Sequence, residues 1–216
     1  LLKQVSTFKS IFSKEGLPEE VRNISSLGQK TITNKVKSIG ETDKNETIST
    51  PKIEPKIINN REDLNIFVEK LMNHKDEKEP IAIDTETTNL NPFKAELVGL
   101  GFCFGNTLKD IVYIPIGHIE EESLIKGEQI VQLRIEEVLN SLQKWFSSGS
   151  HPKSLQNTKY DRLILLRHGI ILNGVILDTL LADYISDATL KHSLEEIAYR
   201  EFGFKPTSFS DIVKKG

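Results

Sequence analysis

Cysteine is nearly absent from the sequence: Cys103 is the only one in 216 residues. An internal disulfide is therefore excluded, and the composition is typical of a reducing compartment such as the cytoplasm. Long apolar runs are also missing, since no stretch approaches the roughly 18 residues that a membrane span needs. The first residues do not form a charged and then apolar leader either. We therefore expect a cytoplasmic protein with no membrane partner.

Positive charge is not in excess. The sequence holds 28 Lys and Arg against 31 Asp and Glu, which gives a net charge of −3 at pH 7. Proteins that wrap duplex DNA usually carry a strong basic surplus, because they neutralise many phosphates at once. Any contact with nucleic acid should therefore be short, local and helped by bound cations. The hydrophobic fraction of 38% is enough for a packed core.

The composition divides the chain into three parts. Residues 1–16 place Leu, Val, Ile and Phe at helical spacing, which is typical of the end of a preceding domain. Residues 17–60 contain no aromatic residue and show no period, which predicts a flexible linker. Regular patterns begin after that, so residues 61–216 are the predicted folded domain. Because the chain opens with Leu1 and not with Met, we expect it to be a piece of a longer protein.

Strand and helix patterns alternate in the predicted domain. Asn60, with Asp63 three residues later, predicts a capped helix start that is followed by an apolar helix face. Further along, the pattern predicts strands at 81–84, 97–104, 111–116, 154–156 and 175–177, and helices at 131–145, 158–168, 179–186 and 193–201. The second and third strands form a hairpin in this scheme. The order predicts an α/β fold in which helices flank a mixed β-sheet.

A pair of carboxylates closes the first predicted strand, in Asp84-Thr85-Glu86. Side chains two residues apart on a strand share a face, so both carboxylates can point at one spot beyond the strand end. Two anions that close repel each other unless a cation neutralises them, and Mg²⁺ and Mn²⁺ prefer such oxygen ligands. Asp-x-Glu also occurs by chance, but its position after an apolar strand favours a metal site.

A third carboxylate lies where a short strand passes into a helix, in Asn157-Thr158-Lys159-Tyr160-Asp161. Asp161 falls in the first helical turn, where the helix dipole also favours an anion. A structural role is therefore open for Asp161, and also for Asn157, because Asn is a favourable N-cap residue. This segment alone does not decide between capping and chemistry.

Together the segments IAIDTETTNL and LQNTKYDRLILLRHGI closely resemble the first and second exonuclease motifs of the DEDD, or DnaQ-like, exonucleases, in the form found in bacterial family-A DNA polymerases. AELVGLGFCFG with VYIPIGH is similar to the hairpin of that family. GVILDTLLADYI, HSLEEIAYREFG and TSFSDIVKKG are similar to its later segments. The resemblance covers about residues 62–216. It implies a ribonuclease-H-like fold and a 3′→5′ exonuclease that proofreads DNA.

The resemblance implies a role for each matching residue. Asp84 would bridge two divalent metal ions, Mg²⁺ or Mn²⁺, while Glu86 would bind the tighter ion and Asp161 the second. Such a pair of ions generates the attacking hydroxide and stabilises charge on the phosphate. Leu90 and Phe209 would wedge against the terminal bases, although ordinary packing is the alternative for both. The implied contacts to substrate come from Thr87, Leu90, Asn157, Tyr160 and Phe209.

One element of the family is missing from the sequence. Neither its third motif, Tyr-x-x-x-Asp, nor the His-x-x-x-x-Asp variant occurs in the chain. The simplest account is that the chain stops before the motif, so we expect the 216 residues alone to be inactive and a longer chain to be active. The resemblance also implies a preceding 5′-nuclease domain. Its implied partners are the 3′ end of single-stranded or frayed DNA and a polymerase domain of the same chain, which is expected to be a monomer.

Two other functions stay open at this point. Ribonuclease-D-like enzymes of the same fold trim the 3′ ends of RNA. A degenerate exonuclease domain can also serve as a non-catalytic spacer in a polymerase. The three carboxylates Asp84, Glu86 and Asp161 argue against the spacer, because degenerate domains typically lose such residues.

The remaining features indicate structural roles. The glycines of Gly99-Leu100-Gly101-Phe102-Cys103-Phe104-Gly105 have the wrong spacing for a dinucleotide-binding loop. Cys103 is predicted to be a core residue and not a reactive thiol. Asp178, where a strand turns into a helix, is predicted to be a cap and not a fourth metal ligand. Four histidines lack ligand spacing and are predicted to be ordinary: His118, His151, His168 and His192.

Overall fold

The computed structural model describes residues 55–105, 110–118 and 131–203 of the chain. Residues 55–179 belong to one compact unit, and residues 180–203 are the described part of a second. The predicted domain end at 1–16, most of the predicted linker and the predicted wedge residue Phe209 lie outside the described residues.

A six-stranded mixed sheet forms the first unit. Its strands are β1 (Lys56–Ile57), β2 (Ile81–Thr87), β3 (Leu97–Cys103), β4 (Ile111–Pro115), β5 (Lys153–Leu155) and β6 (Val175–Asp178). Their spatial order is β1-β4-β3-β2-β5-β6, in which β2, β3 and β4 are antiparallel neighbours and the other pairs are parallel. The mixed sheet confirms the predicted fold class, and the strand that carries the carboxylate pair lies inside it.

The described residues of the first unit contain three complete helices, α1 (Arg61–Asn73), α2 (Ile135–Phe146) and α3 (Thr158–Arg167). α4 (Thr179–Ser186) begins at the boundary between the units, and α5 (Leu194–Phe202) lies in the second. The predicted cap of α1 is confirmed, because the Asn60 side chain accepts a hydrogen bond of 2.9 Å from the Asp63 backbone. In the described ranges, none of the helices combines the length and the apolar character that a membrane span requires.

An aromatic cluster joins α1 and α2 to the sheet. Phe67 on α1 contacts Phe102 and Phe104 edge to face, with ring centroids 5.0 and 5.3 Å apart. Trp145 on α2 lies 6.0 Å from Phe102. Edge-to-face pairs add to the free energy that is gained by burying the rings. Through this cluster, α1 and α2 cover one face of the central strands, so a functional site on these strands would lie on the opposite face.

Three predicted boundaries differ from the structure. The strand predicted at 81–84 is longer, because β2 continues to Thr87 and includes the carboxylate pair. Lys56–Ile57 pair with β4 and Ile58 is fully buried, so the ordered fold begins before residue 60. A strand of two residues is too short to show an alternating pattern, which is why the sequence did not reveal it. α2 begins at Ile135 and not near Val131, whose side chain is 64% exposed. The helical spacing of Val131 therefore reflects no contact with the core.

A buried carboxylate organises the described part of the second unit. Asp183 on α4 is 4% exposed and accepts hydrogen bonds from Nδ1 of His192 at 2.6 Å and from the Arg200 guanidinium. Such partners offset the cost of removing a carboxylate from water. His192 thus has a structural contact, as expected for a residue that is not a metal ligand.

Candidate active site

Side chains on β2 alternate between the covered face and an exposed face. The buried ones are Ile81, Ile83 and Thr85, and the exposed ones are Ala82, Asp84 and Glu86. Asp84 and Glu86 therefore share one face, as their spacing predicts. On β3, Gly101 lies opposite Asp84 and Gly99 lies opposite Glu86. Because glycine has no side chain, β3 itself places nothing beside either carboxylate.

Electrostatic repulsion acts on Asp84. Although Asp84 is exposed on its face of the sheet, the protein around it removes part of the water from its carboxyl. This desolvation raises the pKa of Asp84 from 3.8 to about 6, and the nearby charge of Glu86 adds to the rise. A hydrogen bond from the backbone N–H of Thr85 works in the opposite direction. Among the residues that the structure describes, no Lys or Arg forms an ion pair with Asp84 or Glu86. A bound cation would relieve the repulsion between the two carboxylates.

Asp161 lies near Asp84 and is held by Thr85. Only 3% of Asp161 is exposed, and its Oδ1 accepts a hydrogen bond of 2.6 Å from the Thr85 hydroxyl. Burial raises the pKa of Asp161 to about 6, the Thr85 hydrogen bond lowers it, and the charge of Asp84 raises it further. Thr85 is the middle residue of the carboxylate motif and points to the covered face. Because Thr85 lies between Asp84 and Glu86 in β2, its hydrogen bond fixes the position of Asp161 relative to that pair.

The helix start that carries Asp161 is capped from β6. The carboxylate of Asp178 accepts hydrogen bonds from the backbone N–H groups of Asn157, at 3.2 Å, and Thr158, at 2.8 Å. The predicted structural role of Asp178 thus includes a cap on α3, a helix that begins earlier in the sequence, since these N–H groups are donors that a helix start leaves open. Asn157 is left-handed, with φ 64° and ψ 52°, and its side chain makes no capping bond. A side-chain cap from Asn157 is therefore wrong, while its contact with substrate stays a prediction.

Tyr160 connects this helix to the loop after β2. Its hydroxyl donates to the carbonyl oxygen of Asn89 at 2.5 Å. A phenol has only one proton, so the Thr87 hydroxyl, also 2.5 Å away, must donate to Tyr160. The next residue, Leu90, is 95% exposed, so the alternative of ordinary packing is wrong for its side chain. Its role as a wedge, like the substrate contacts of Thr87 and Tyr160, stays a prediction.

Arg167 at the end of α3 braces the second half of this loop. Its guanidinium donates to the carbonyl oxygens of Pro92, at 3.0 Å, and Ala95, and it pairs with Glu96 at 3.2 Å. The loop presents a second apolar side chain, Phe93, which is 72% exposed. Sequence reasoning missed Phe93, because a single aromatic residue in a turn belongs to no period.

The chemistry of these residues fits divalent ions. Carboxylates are the ligands that such ions prefer, and Asp84, Glu86 and Asp161 are the residues that would hold them. The geometry is less complete: within the described ranges, no three His, Cys, Asp or Glu side chains form a group that could hold a metal ion. Asp84 and Glu86 face one side, whereas Asp161 is engaged by Thr85. Convergence of all three residues on one pair of ions stays a prediction.

Two other polar residues have structural contacts. The Cys103 thiol is half-buried, lies 3.5 Å from the carbonyl of Gly105 and has a pKa that burial raises, so it is a poor nucleophile at neutral pH. This agrees with the prediction of an unreactive thiol, although the residue is not fully in the core. His151 is buried between the Ser148 hydroxyl, at 2.6 Å, and the Met72 carbonyl, at 2.9 Å. Neither residue is part of the carboxylate site.

Comparison with known proteins adds the family. Residues 55–216 match the family described as 3'-5' exonuclease. The chain belongs to this family. A DNA polymerase I from Synechocystis sp. is 39% identical to the exonuclease chain over 171 residues, which are 78% of this chain and 16% of that protein. The chain thus spans less than a fifth of the length of this curated relative.

Solved structures share the exonuclease fold. Pol1 from M. smegmatis, in complex with DNA primer-template and dNTP, has a TM-score of 0.52 at 19% identity, over 69% of this chain and 23% of that one. RNase D from Escherichia coli, an exoribonuclease, has a TM-score of 0.51 at 14% identity, over 71% of this chain and 35% of that one. At these identities the likeness shows the fold alone, and it confirms the ribonuclease-H-like architecture.

Asp161→Asn is expected to stabilise the exonuclease chain against unfolding when divalent ions are removed. The pKa of Asp161 is about 6 in the fold against an ordinary 3.8, so the unfolded chain gives up this proton first. The stability of the wild type therefore falls as pH rises from about 4 to about 6 and stays lowered above that. Asn keeps an oxygen for the Thr85 hydroxyl and removes the charge. The free energy of unfolding in EDTA should rise by about 3 kcal/mol at pH 8 and change little near pH 4.

Denaturant unfolding of both proteins at the two pH values, with EDTA and with Mg²⁺, measures this effect. Added Mg²⁺ should reduce the difference in the free energy of unfolding between the two proteins at pH 8, because a cation neutralises the wild-type carboxylate. Equal or lower stability of Asp161→Asn at pH 8 in EDTA would show that the buried charge is not destabilising.

Proposed function

We propose that this chain is the proofreading 3′→5′ exonuclease module of a polymerase of the DNA polymerase I type. It hydrolyses the 3′-terminal phosphodiester of single-stranded or frayed DNA and releases nucleoside monophosphates. The observation that carries the proposal is the exposed pair Asp84 and Glu86, beside which Thr85 holds the buried Asp161. Membership of the exonuclease family and the likeness to a DNA polymerase I support it.

The carboxylates supply the chemistry of this proposal. Two Mg²⁺ or Mn²⁺ ions, when bound, would activate a water and stabilise the charge that develops on the phosphate. Asp84 is central to the proposed site, because it shares a face with Glu86 and its charge also acts on Asp161. The raised pKa values of Asp84 and Asp161 mean that their ionised carboxylates are destabilised in the fold, and a bound cation would offset this destabilisation.

The loop after β2 explains the preference for an unpaired end. Leu90 and Phe93 are exposed on a loop that Tyr160 and Arg167 hold in place. Exposed apolar side chains on such a loop can separate bases or stack on them without identifying them. The net charge of −3 lacks the basic surplus that is typical of proteins that wrap duplex DNA. The DNA substrate would therefore be bound mainly through its terminal nucleotides.

The test uses the full-length protein that carries this sequence, with four 5′-labelled substrates of the same sequence. They are single-stranded DNA, fully paired duplex, duplex with a mismatched 3′ end, and single-stranded RNA. We expect stepwise shortening from the 3′ end that requires Mg²⁺ or Mn²⁺, is slower on the paired duplex than on the mismatched one, and is slowest on RNA. Faster trimming of RNA would favour the ribonuclease-D-like alternative, and no hydrolysis of any substrate would favour the non-catalytic spacer.

A further inference from the structure

An additional aromatic side chain lies on the carboxylate face of the sheet. Tyr113 on β4 is the partner of Gly101 on β3, and Gly101 is the partner of Asp84 on β2. Residues directly opposite each other in neighbouring strands point to the same face. Tyr113 and Asp84 therefore share a face, and no side chain stands between them, because the intervening residue is glycine.

The ring of Tyr113 extends over Gly99. A Cβ atom added to Gly99 would lie 1.9 Å from the Tyr113 hydroxyl and 2.4 Å from Cζ, which is closer than real atoms approach. Gly99 is also the direct partner of Glu86 on β2. The Tyr113 hydroxyl thus takes the place beside Glu86 that a side chain at position 99 would take. Only glycine at position 99 permits this arrangement.

His118 fixes the position of the Tyr113 hydroxyl. Its Nε2 lies 2.6 Å from the phenol oxygen, and the two ring centroids are 5.8 Å apart. The backbone of His118 is held in turn by the Gln132 side chain, which accepts from the N–H at 3.0 Å and donates to the carbonyl at 2.9 Å. Packing over Gly99 alone would need none of these hydrogen bonds. They order one hydroxyl group on the carboxylate face.

The phenol is a neutral donor close to an anion. Desolvation, and after it the charge of Glu86, raises the pKa of Tyr113 to about 12, so the hydroxyl keeps its proton at physiological pH. The most favourable arrangement directs that proton toward the carboxylate, and the Nε2–H of His118 then donates to the phenol oxygen.

We propose that Tyr113, oriented by His118, is a positioning residue for Glu86. Its hydroxyl donates a hydrogen bond, directly or through one water molecule, that keeps the Glu86 carboxylate turned toward Asp84. This inference rests on the proposed exonuclease function. Groups that orient a metal-binding side chain in this way typically contribute about 10- to 100-fold in metal affinity or activity.

Tyr113→Phe in the full-length protein tests the proposal, because it keeps the ring over Gly99 and removes only the hydroxyl. We expect Mn²⁺ binding, measured by electron paramagnetic resonance without DNA, to weaken about 10-fold at the site that Glu86→Gln also weakens. The Mn²⁺ concentration for half-maximal 3′→5′ hydrolysis should rise by a similar factor, with the unfolding temperature unchanged. His118→Ala should act in the same direction. Tyr199→Phe, at a tyrosine that is 57% exposed, is the matched control and should change none of these quantities.

A double-mutant cycle separates positioning from packing. If Tyr113 acts through Glu86, Tyr113→Phe should add no further loss of Mn²⁺ binding to Glu86→Gln. Wild-type Mn²⁺ binding in Tyr113→Phe, or a full additional loss in the Glu86→Gln background, would overturn the proposal. Failure of the proposed function gives a different result. In that case the wild-type protein itself shows no metal-dependent 3′→5′ hydrolysis, or shows hydrolysis that Asp84→Ala does not abolish.

Discussion

Asp84→Ala in the full-length protein is expected to lower the rate of 3′→5′ hydrolysis by about three orders of magnitude, or about 4 kcal/mol of transition-state stabilisation. Asp84 is the carboxylate that faces the same side as Glu86 and whose charge raises the pKa of Asp161. Its removal would take one ligand from both proposed ions. If the protein also contains the proposed polymerase domain, nucleotide incorporation by that domain should stay near the wild-type rate. Single-turnover degradation of labelled single-stranded DNA measures the effect.

Asp76→Ala is the matched control for this experiment. Asp76 is exposed in the turn that precedes β2, at the opposite end of the strand from Glu86. The Asp76→Ala substitution also removes one carboxylate from the chain, but this carboxylate lies away from the site, so the rate of hydrolysis should be unchanged. Asp84→Ala protein that keeps more than about a tenth of the wild-type rate would refute the assignment of Asp84 as a metal ligand.

Thr85→Val is expected to reduce hydrolysis by about 10- to 100-fold, the second-largest effect. The hydroxyl of Thr85 donates to Asp161 at 2.6 Å, and both residues are buried, so Val leaves a carboxylate oxygen without its partner. The same hydrogen bond lowers the pKa of Asp161. Without it the pKa rises further, less of Asp161 is ionised at neutral pH, and the loss of activity should shrink as pH increases. The pH dependence of single-turnover hydrolysis tests both parts.

Thr85→Ser provides the control for the hydroxyl. Ser retains the donor and loses only a methyl group, whereas Val retains the branched shape that suits a strand. Activity should therefore follow the hydroxyl: near wild type for Thr85→Ser and low for Thr85→Val. Equal losses in both variants would mean that the methyl group and packing matter, and that Thr85 does not act through Asp161.

Local patterns were enough for much of the fold. Strands and helices with several turns of clear period were predicted close to their observed bounds, and the alternation along β2 placed Asp84 and Glu86 on one face. A structural role for Asp178 was predictable from its place where a strand turns into a helix, but its cap on α3, which begins 20 residues earlier in the chain, could not be predicted from that position. β1 escaped prediction, since two residues carry no period.

Long-range contacts were not predictable in the same way. The hydrogen bond from Thr85 to Asp161 joins residues 76 positions apart, and no pattern within either segment indicates it. The contact between Tyr113 and Gly99 depends on the register of β3 with β4, which only the folded sheet defines. Gly99 stood out in the sequence only as part of a glycine-rich strand. That Tyr113 of the neighbouring strand lies over Gly99 becomes visible only once the strands are paired in the sheet.

Metal positions in a crystal of the full-length protein test the central claim most directly. The protein would be crystallised with Mn²⁺ and a single-stranded oligonucleotide, and anomalous diffraction would locate the ions. We predict two Mn²⁺ peaks at the end of β2, one shared by Asp84 and Glu86 and the other bound by Asp84 on the side of Asp161. Mn²⁺ bound elsewhere in this domain, or no anomalous peak at Asp84 with the DNA 3′ end in place, would contradict the account.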